Sequence, residues 1–502
     1  MSTNDFSNIK LVSSLNENIN IIKNIFINDT TIIYRELSVG KLAGTMCMLI
    51  YIDGMANSQI INENIIKPIL LSEISYVNHS EIMDILMQKV LLTGDNRRLT
   101  NVDDIINGII YGKTILFIDG FAEIISINTI GWVTRSISEP QSETIVRGPR
   151  EGFTESMNVN LSLLRRRLVN PNLKSKFIKI GKQTKTQVCV CYIEGIAKEP
   201  ILEELMKRLN NIHIDGILDS GYIEEMIKDA PYSPFRTIIN TERPDVVAGK
   251  LLEGRFAVMC DGSPVILTLP SIFVEVFQSN EDYYDNFLYS SFVRFLRWLC
   301  FFLGTSVPAI YVAIVTFHQE LIPTTLLISI YSARKGVPFP TIVEAMGMIF
   351  IFEILKEAGL RMPKPVGQAI SIVGALVLGD AAVNAKLVSA PMVIITALTG
   401  IASLMLPQVL GIVEIRIIFL ILSSFLGLYG YIFGVMGLVL HMMSIRSFGI
   451  PYMINVPSFS TQDIKDTVIR APWWYMYLRP KMFTKNTKRI KKDERGPSNE
   501  KK

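Results

Sequence analysis

The sequence is poor in residues that support metal or thiol chemistry. Its 502 residues hold four histidines and five cysteines. His79, His213, His318 and His441 are scattered without ligand spacing, which argues against zinc. Cys189 and Cys191 flank Val190, so on a strand both thiols point to one face, too close in sequence for routine bridging. Free thiols fit a reducing compartment. The opening MSTNDFSNIK has no basic stretch followed by an apolar core, so no secretory leader is expected there. An intact phosphate loop is also missing. Gly112-Lys113-Thr114 imitates the end of one, but Gly108 stands one residue too close and the segment enters a strand. With no nucleophile–base pair and no metal cluster, neither catalysis nor a cofactor is expected.

Long apolar runs are absent before about residue 285 and dominate from Phe292 to Ser444. Several reach about 18 residues, enough to cross a hydrocarbon layer roughly 30 Å thick. The mean hydropathy of +0.33 is therefore unevenly distributed. Charge is uneven too. From Arg446 onward there are 13 Lys/Arg and 5 Asp/Glu, a balance of 13 − 5 = +8, against +4 for the whole chain. A basic tail beside the last apolar run places it on the cytoplasmic side and does not call for nucleic acid. The APWWYMYLRPK stretch within it suits contact with lipid headgroups, and a loosely packed tail explains it equally well.

The charged front half contains an internal repeat. YIDGMAN at 51–57 matches YIEGIAK at 192–198, and GKTILFIDGFAEIISI from Gly112 matches GRFAVMCDGSPVILTL from Gly254. DIINGIIYG and DVVAGKLLEG align between them. Three blocks in one order at nearly constant offset indicate duplication. Each copy closes on Asp-Gly between β-branched runs, a tight-hairpin signal, so Asp119 and Asp261 read as turn formers and not as a catalytic dyad. The expected fold is two related small α/β subdomains followed by an all-α multi-span region. The expected boundaries are a variable segment 1–34, subdomains 35–130 and 180–285 around an Arg/Glu-rich connector 131–179, a helical region 286–445 and a basic tail 446–502.

The connector alternates in charge, which fits a solvated face with local salt bridges, and any partners are expected to be protein carboxylates more than phosphates. Its sequence SEPQSETIVRGPREGFTESMNVNLSLLRRRLVNPNL resembles the signature of the A-subunit family of GerA-type spore germinant receptors. YSPFRTIINTERPD, ARKGVPFP, EAGLRMPKPVGQAISIVG and SFGIPY continue the resemblance, which spans about residues 35 to 455. It implies a subunit of a complex in the spore inner membrane, with soluble part and tail facing the spore core. Its implied partners are copies of itself in a ring, a permease-like B subunit and a C-subunit lipoprotein. The implied function is a nutrient-gated path for monovalent cations. On that view Arg147, Arg150, Glu151, Glu155, Arg165 and Arg166 are candidates for an assembly surface, because guanidinium–carboxylate forks fix orientation. A germination-amplifying paralogue associated with dipicolinate release and a stand-alone transporter are the alternatives.

In the apolar third, Phe292–Phe317 reads as the first span. The segment 341–359 carries Glu344, Glu353 and Glu357, which disfavour lipid exposure. Val366–Pro407 reads as a hairpin broken by GDAAVNAK. Ile415–Ser444 reads as one tilted span, at about 45 Å too short for a hairpin. Four or six crossings keep the tail on the side of the front domain. Gln368, Ser371, Gly374, Val377 and Leu378 form a narrow face of small and polar residues, the candidate pore lining, with Leu378 or Val377 as an apolar gate. Plain helix packing explains the small residues equally well.

Overall fold

A computed structural model describes residues 9–39, 45–72, 82–131, 143, 145–361, 379–406, 411–453, 466–485 and 488–489. The chain forms two compact units. One comprises Met1–Lys228, Ile238–Pro270 and Leu478–Lys491, the other Asp229–Thr237, Ser271–Tyr477 and Lys492–Lys502. The observed architecture is the expected one, duplicated α/β structure followed by helices.

The first unit holds the repeat as two five-stranded antiparallel sheets of identical topology. Strands β1 (Ile32–Ser38), β2 (Met46–Ile52), β3 (Asn96–Leu99), β4 (Thr114–Ile118) and β5 (Ile124–Ile127) run in the order β1-β2-β4-β5-β3. Strands β6 (Leu173–Ile180), β7 (Thr186–Ile193), β8 (Ile239–Thr241), β9 (Phe256–Cys260) and β10 (Ile266–Leu269) repeat it as β6-β7-β9-β10-β8. The central strands read as unbroken apolar runs because both faces of the sheet are covered. Cys47, Leu49, Leu116 and Ile118 enter one core, while Met48, Ile50, Ile115 and Phe117 enter the other. Helices α1 (Leu15–Ile25) and α2 (Val102–Ile110) supply Leu15, Ile19, Ile22, Ile105 and Ile109 to the second core at helical spacing.

The repeat is wider than the matched sequence blocks. Helix α3 (Met157–Arg167) stands where α1 stands, at an offset of 157 − 15 = 142 residues. The two helix starts are built alike. Leu15 N–H donates to Asp119 Oδ1 at 3.1 Å, and Met157 N–H donates to Asp261 Oδ1 at 3.2 Å. Asn18 bonds both polar groups of the Val12 backbone, and Asn160 does the same at Thr154. Residues 157–180, which the sequence reading places mainly in the connector, thus build α3 and β6 of the second copy. The hairpin aspartates have a role beyond the turn, since each caps the first helix of its own copy.

The second unit is helical. Helix α4 (Phe287–Phe317) is flanked by α5 (Thr324–Arg334), α6 (Thr341–Arg361), α7 (Ala390–Leu404) and α8 (Ile412–Ser444). Val312 meets Ala345, Ile349, Met392 and Leu420 in one cluster. Nearer the start of α4, Gly304 faces Thr399, Ser403 and Ile412, and Gly400 faces Phe352. Hence α6 and α7 run opposite to α4, while the first part of α8 runs with it.

Ile415–Ser444 does not form one tilted span, contrary to the sequence reading. Gly427 breaks α8 with φ 59° and ψ −141°, a conformation open only to glycine. Beyond it the helix folds back. A Cβ at Gly430 would lie 2.1 Å from Leu422 O, and the rings of Phe419 and Tyr431 are 5.6 Å apart. Both ends of the segment, Ile412 and Met442, share one core cluster. A straight helix would hold those ends about 45 Å apart. Its two arms, 412–426 and 428–444, are each shorter than the roughly 20 residues that a span takes. Glycines at the arm contact allow the backbones to approach so closely that a tight fold replaces the long loop assumed necessary.

Candidate functional site

Buried charge marks the places where this chain does something beyond packing. In the first unit it collects where the two repeat copies meet. Arg165 in the last turn of α3 donates from Nη2 to Asp29 Oδ2 and to Thr31 Oγ1, each at 2.7 Å. Asp29 and Arg165 are 0% and 1% exposed at their side chains. Thr31 also donates its N–H and hydroxyl to Asp29 Oδ1, at 3.1 and 2.7 Å. Beside them Lys174 Nζ donates to Ile25 O at 3.1 Å and lies 3.5 Å from Glu194. Burial pulls the Lys174 ammonium below its usual range, against the opposing pull of Glu194 and Asp29. Thr30 completes the joint by donating its hydroxyl to Ser175 O at 2.8 Å. The turn after α1 of one copy is thereby keyed onto α3 and β6 of the other.

Cys189 and Cys191 share a face of β7, as the spacing predicts, with their sulfurs 3.7 Å apart and unbridged. Burial pushes the Cys189 thiol well up, so it stays protonated and inert.

The helical unit inverts the usual distribution of polarity. Phe350, Ile394, Ile401, Leu404, Phe425 and Phe433 are exposed, while Arg294, Arg416 and Glu344 are buried. Charges inside and large apolar side chains outside suit a bundle surrounded by lipid. Three ionic groups line the interior. At the start of α4, Arg294 Nη1 donates to Asp466 Oδ1 at 2.7 Å, and Arg297 Nη1 to Asp282 Oδ2 at 2.8 Å. Further along, Pro308 lacks an N–H and leaves the carbonyl of Gly304 without its helical partner. Arg416 Nε supplies that bond at 2.7 Å, and its Nη1 lies 3.7 Å from Glu353. Glu344 Oε2 accepts from the N–H and hydroxyl of Ser389 at 2.9 and 2.8 Å, with Arg334 3.3 Å from Oε1. The carboxylates at 344 and 353 thus face protein, and Glu357 pairs with Arg361 on an exposed face.

The sequence-derived candidates are distributed differently from expectation. Arg165 is enclosed within its own chain at the repeat joint and is closed to any neighbour. Glu151 pairs internally, 2.7 Å from Arg167 and 3.6 Å from Arg166. Arg147, Arg150 and Glu155 are exposed. The pore candidates Gln368, Ser371, Gly374, Val377 and Leu378 lie outside the described residues. Sequence reading passed over Asp29, Lys174 and Asp466, whose partners are far away in the chain, and Asp282, whose partners Arg294 and Arg297 follow it within one helix start. Arg416 carried a usable signal as a lone guanidinium inside the apolar run VEIRIIF.

Comparison with known proteins places this architecture. Spore germination protein KA of Bacillus subtilis (strain 168) is 45% identical over 96% of this chain and 89% of its own length. Spore germination protein GerLA of Bacillus cereus is 38% identical over 93% of this chain and 95% of its own. The crystal structure of the N-terminal domain of the A subunit of the Bacillus megaterium spore germinant receptor GerK3 is 34% identical, covers 53% of this chain and 98% of that one, and superposes with a TM-score of 0.41. The family model described as Bacillus/Clostridium GerA spore germination protein matches residues 20–482, so the chain belongs to the GerA spore germination family.

Proposed function

We propose that this chain is the A subunit of a nutrient germinant receptor, assembling with copies of itself into a ring whose helical units enclose a monovalent-cation path. It sits in the spore inner membrane beside a permease-like B subunit and a C-subunit lipoprotein, with its soluble unit and tail in the spore core. Its work is assembly and conduction, not catalysis. Family membership over residues 20–482 carries the reading. Exposed Arg147, Arg150 and Glu155 support it as connector side chains at the molecular surface. Leu378 remains the candidate gate. The test is conductance of the purified chain in planar bilayers, comparing the parent with Leu378→Asn and with Arg147→Glu/Arg150→Glu. The reading expects cation current that the first variant raises and the second abolishes through loss of assembly. A chain that stays single-copy and silent beside its partner subunits overturns it.

A further inference from the structure

The two repeat copies end differently, and the difference identifies a docking slot. In the first copy the chain leaves β5 at Ile127 and runs straight into a bridge between Ile130 and Ala56. There Gly131 N–H donates to Met55 O at 3.1 Å. In the second copy the chain leaves β10 at Leu269 and passes at Ser271 into the other unit. The slot is nevertheless filled. Thr484 bridges Ala197, and Lys485 N–H donates to Ile196 O at 2.8 Å. Ala197 and Ile196 are the counterparts of Ala56 and Met55 at the repeat offset of 141 (197 − 56 and 196 − 55).

We infer that residues 478–485, with 488–489, are a closing strap, the missing end of the second repeat supplied from beyond the helical unit. The fit is specific. Phe483 and Thr484 are only 1% and 4% exposed, in a tail otherwise rich in charge. The Arg255 guanidinium lies 4.1 Å from the centre of the Phe483 ring. Lys198 Nζ donates to Met482 O at 2.7 Å, and Arg479 Nε to Leu252 O at 2.6 Å. Arg489 pairs with Glu253 at 3.2 Å. Gly254 leaves room for the strap, since a Cβ there would come within 2.9 Å of Phe483 O. The partner of the slot is thus a named segment of the same chain.

A topological consequence follows. The chain leaves the soluble unit at Ser271 and rejoins it at Leu478. A soluble unit lies on one side of a bilayer, so the intervening chain crosses an even number of times. The folded-back α8 contributes two crossings or none and preserves that parity.

The test uses the full chain in native membranes. Thr484→Cys and Lys485→Cys are neighbours, one enclosed and one exposed, and the strap expects maleimide to label the second at least tenfold faster. Equal rates overturn it. Ala197→Cys/Thr484→Cys places two thiols across an antiparallel bridge, within disulfide reach. Oxidation should give a link within one chain, read by mass spectrometry of unreduced peptides, as should Ala56→Cys/Ile130→Cys in the first copy. A link in the first-copy pair alone, or one joining two chains, overturns the assignment. A membrane-impermeant maleimide should reach Lys485→Cys and Glu203→Cys from the same face of sealed vesicles, and opposite faces overturn the parity. None of these readouts depends on conductance or ring formation.

Discussion

Replacing Arg165 with methionine should loosen the joint between the two repeat copies. The substitution keeps much of the volume and removes the guanidinium. Asp29 Oδ2 then loses its 2.7 Å partner, and the carboxylate has no access to water in exchange. Stranding one member of a buried pair costs about 3–5 kcal/mol, a large part of the roughly 5–15 kcal/mol that holds a domain folded. Because every 1.4 kcal/mol is about a factor of ten, amide exchange in α3 and β6 should quicken by roughly two to four orders of magnitude. Hydrogen exchange of the full-length protein in detergent reads this segment by segment. Among the described residues Arg165 Nε and Nη1 have no hydrogen-bond partner, so the native pair is imperfect. The double variant Asp29→Asn/Arg165→Met should therefore recover part of the loss. Parent-like protection of α3 and β6 in Arg165→Met would refute the reasoning.

Asp119→Ala and Asp261→Ala should each destabilise their own copy by about 1 kcal/mol, the usual scale for a lost helix cap, with exchange rising first in α1 and α3 respectively. Gly427→Ala puts a Cβ 2.9 Å from His318 Nε2 on a backbone with φ 59°, whereas a Cβ at Gly437 meets no other part of the described residues within 4 Å. The first should lower the thermal midpoint in detergent by several degrees, and Gly437→Ala should leave it in place. Burial raises the Glu253 carboxyl, but Arg255, Lys250 and Arg489 outweigh it and hold the group below its usual range. A depressed folded value means that this contribution to strap docking is present above the unfolded pKa of about 4.3 and fades as pH falls through the folded one. Labelling of Thr484→Cys, taken as a ratio to Lys485→Cys at the same pH to cancel the falling thiolate fraction, should rise in that acid window, and adding Glu253→Gln should flatten the response.

What could be read from the chain follows from where each interaction partner lies. The duplication was legible because matched blocks recur in order, and the Asp-Gly hairpins because they need positive φ, which Gly120 and Gly262 adopt at 90° and 85°. The capping role of Asp119 was hidden, since its partner at Leu15 is 104 residues away. A separation of 136 residues likewise concealed the pairing of Arg165 with Asp29 and made an enclosed side chain look like an assembly contact. The folded-back α8 was misread because length and hydropathy are sums over a segment. One glycine torsion divides it without changing either sum.

By itself the sequence determined composition and order: a charged repeat, an apolar third, a basic tail, and the motifs that tie them to one family. Those properties are local, or recur at fixed spacing, and need no third dimension. Only the tertiary structure decided which charges are enclosed, which way the last hydrophobic helix turns, and that the end of the chain completes a fold begun some 290 residues earlier (Thr484 against Ala197). Each of those depends on atoms that share a space without sharing a neighbourhood in the chain.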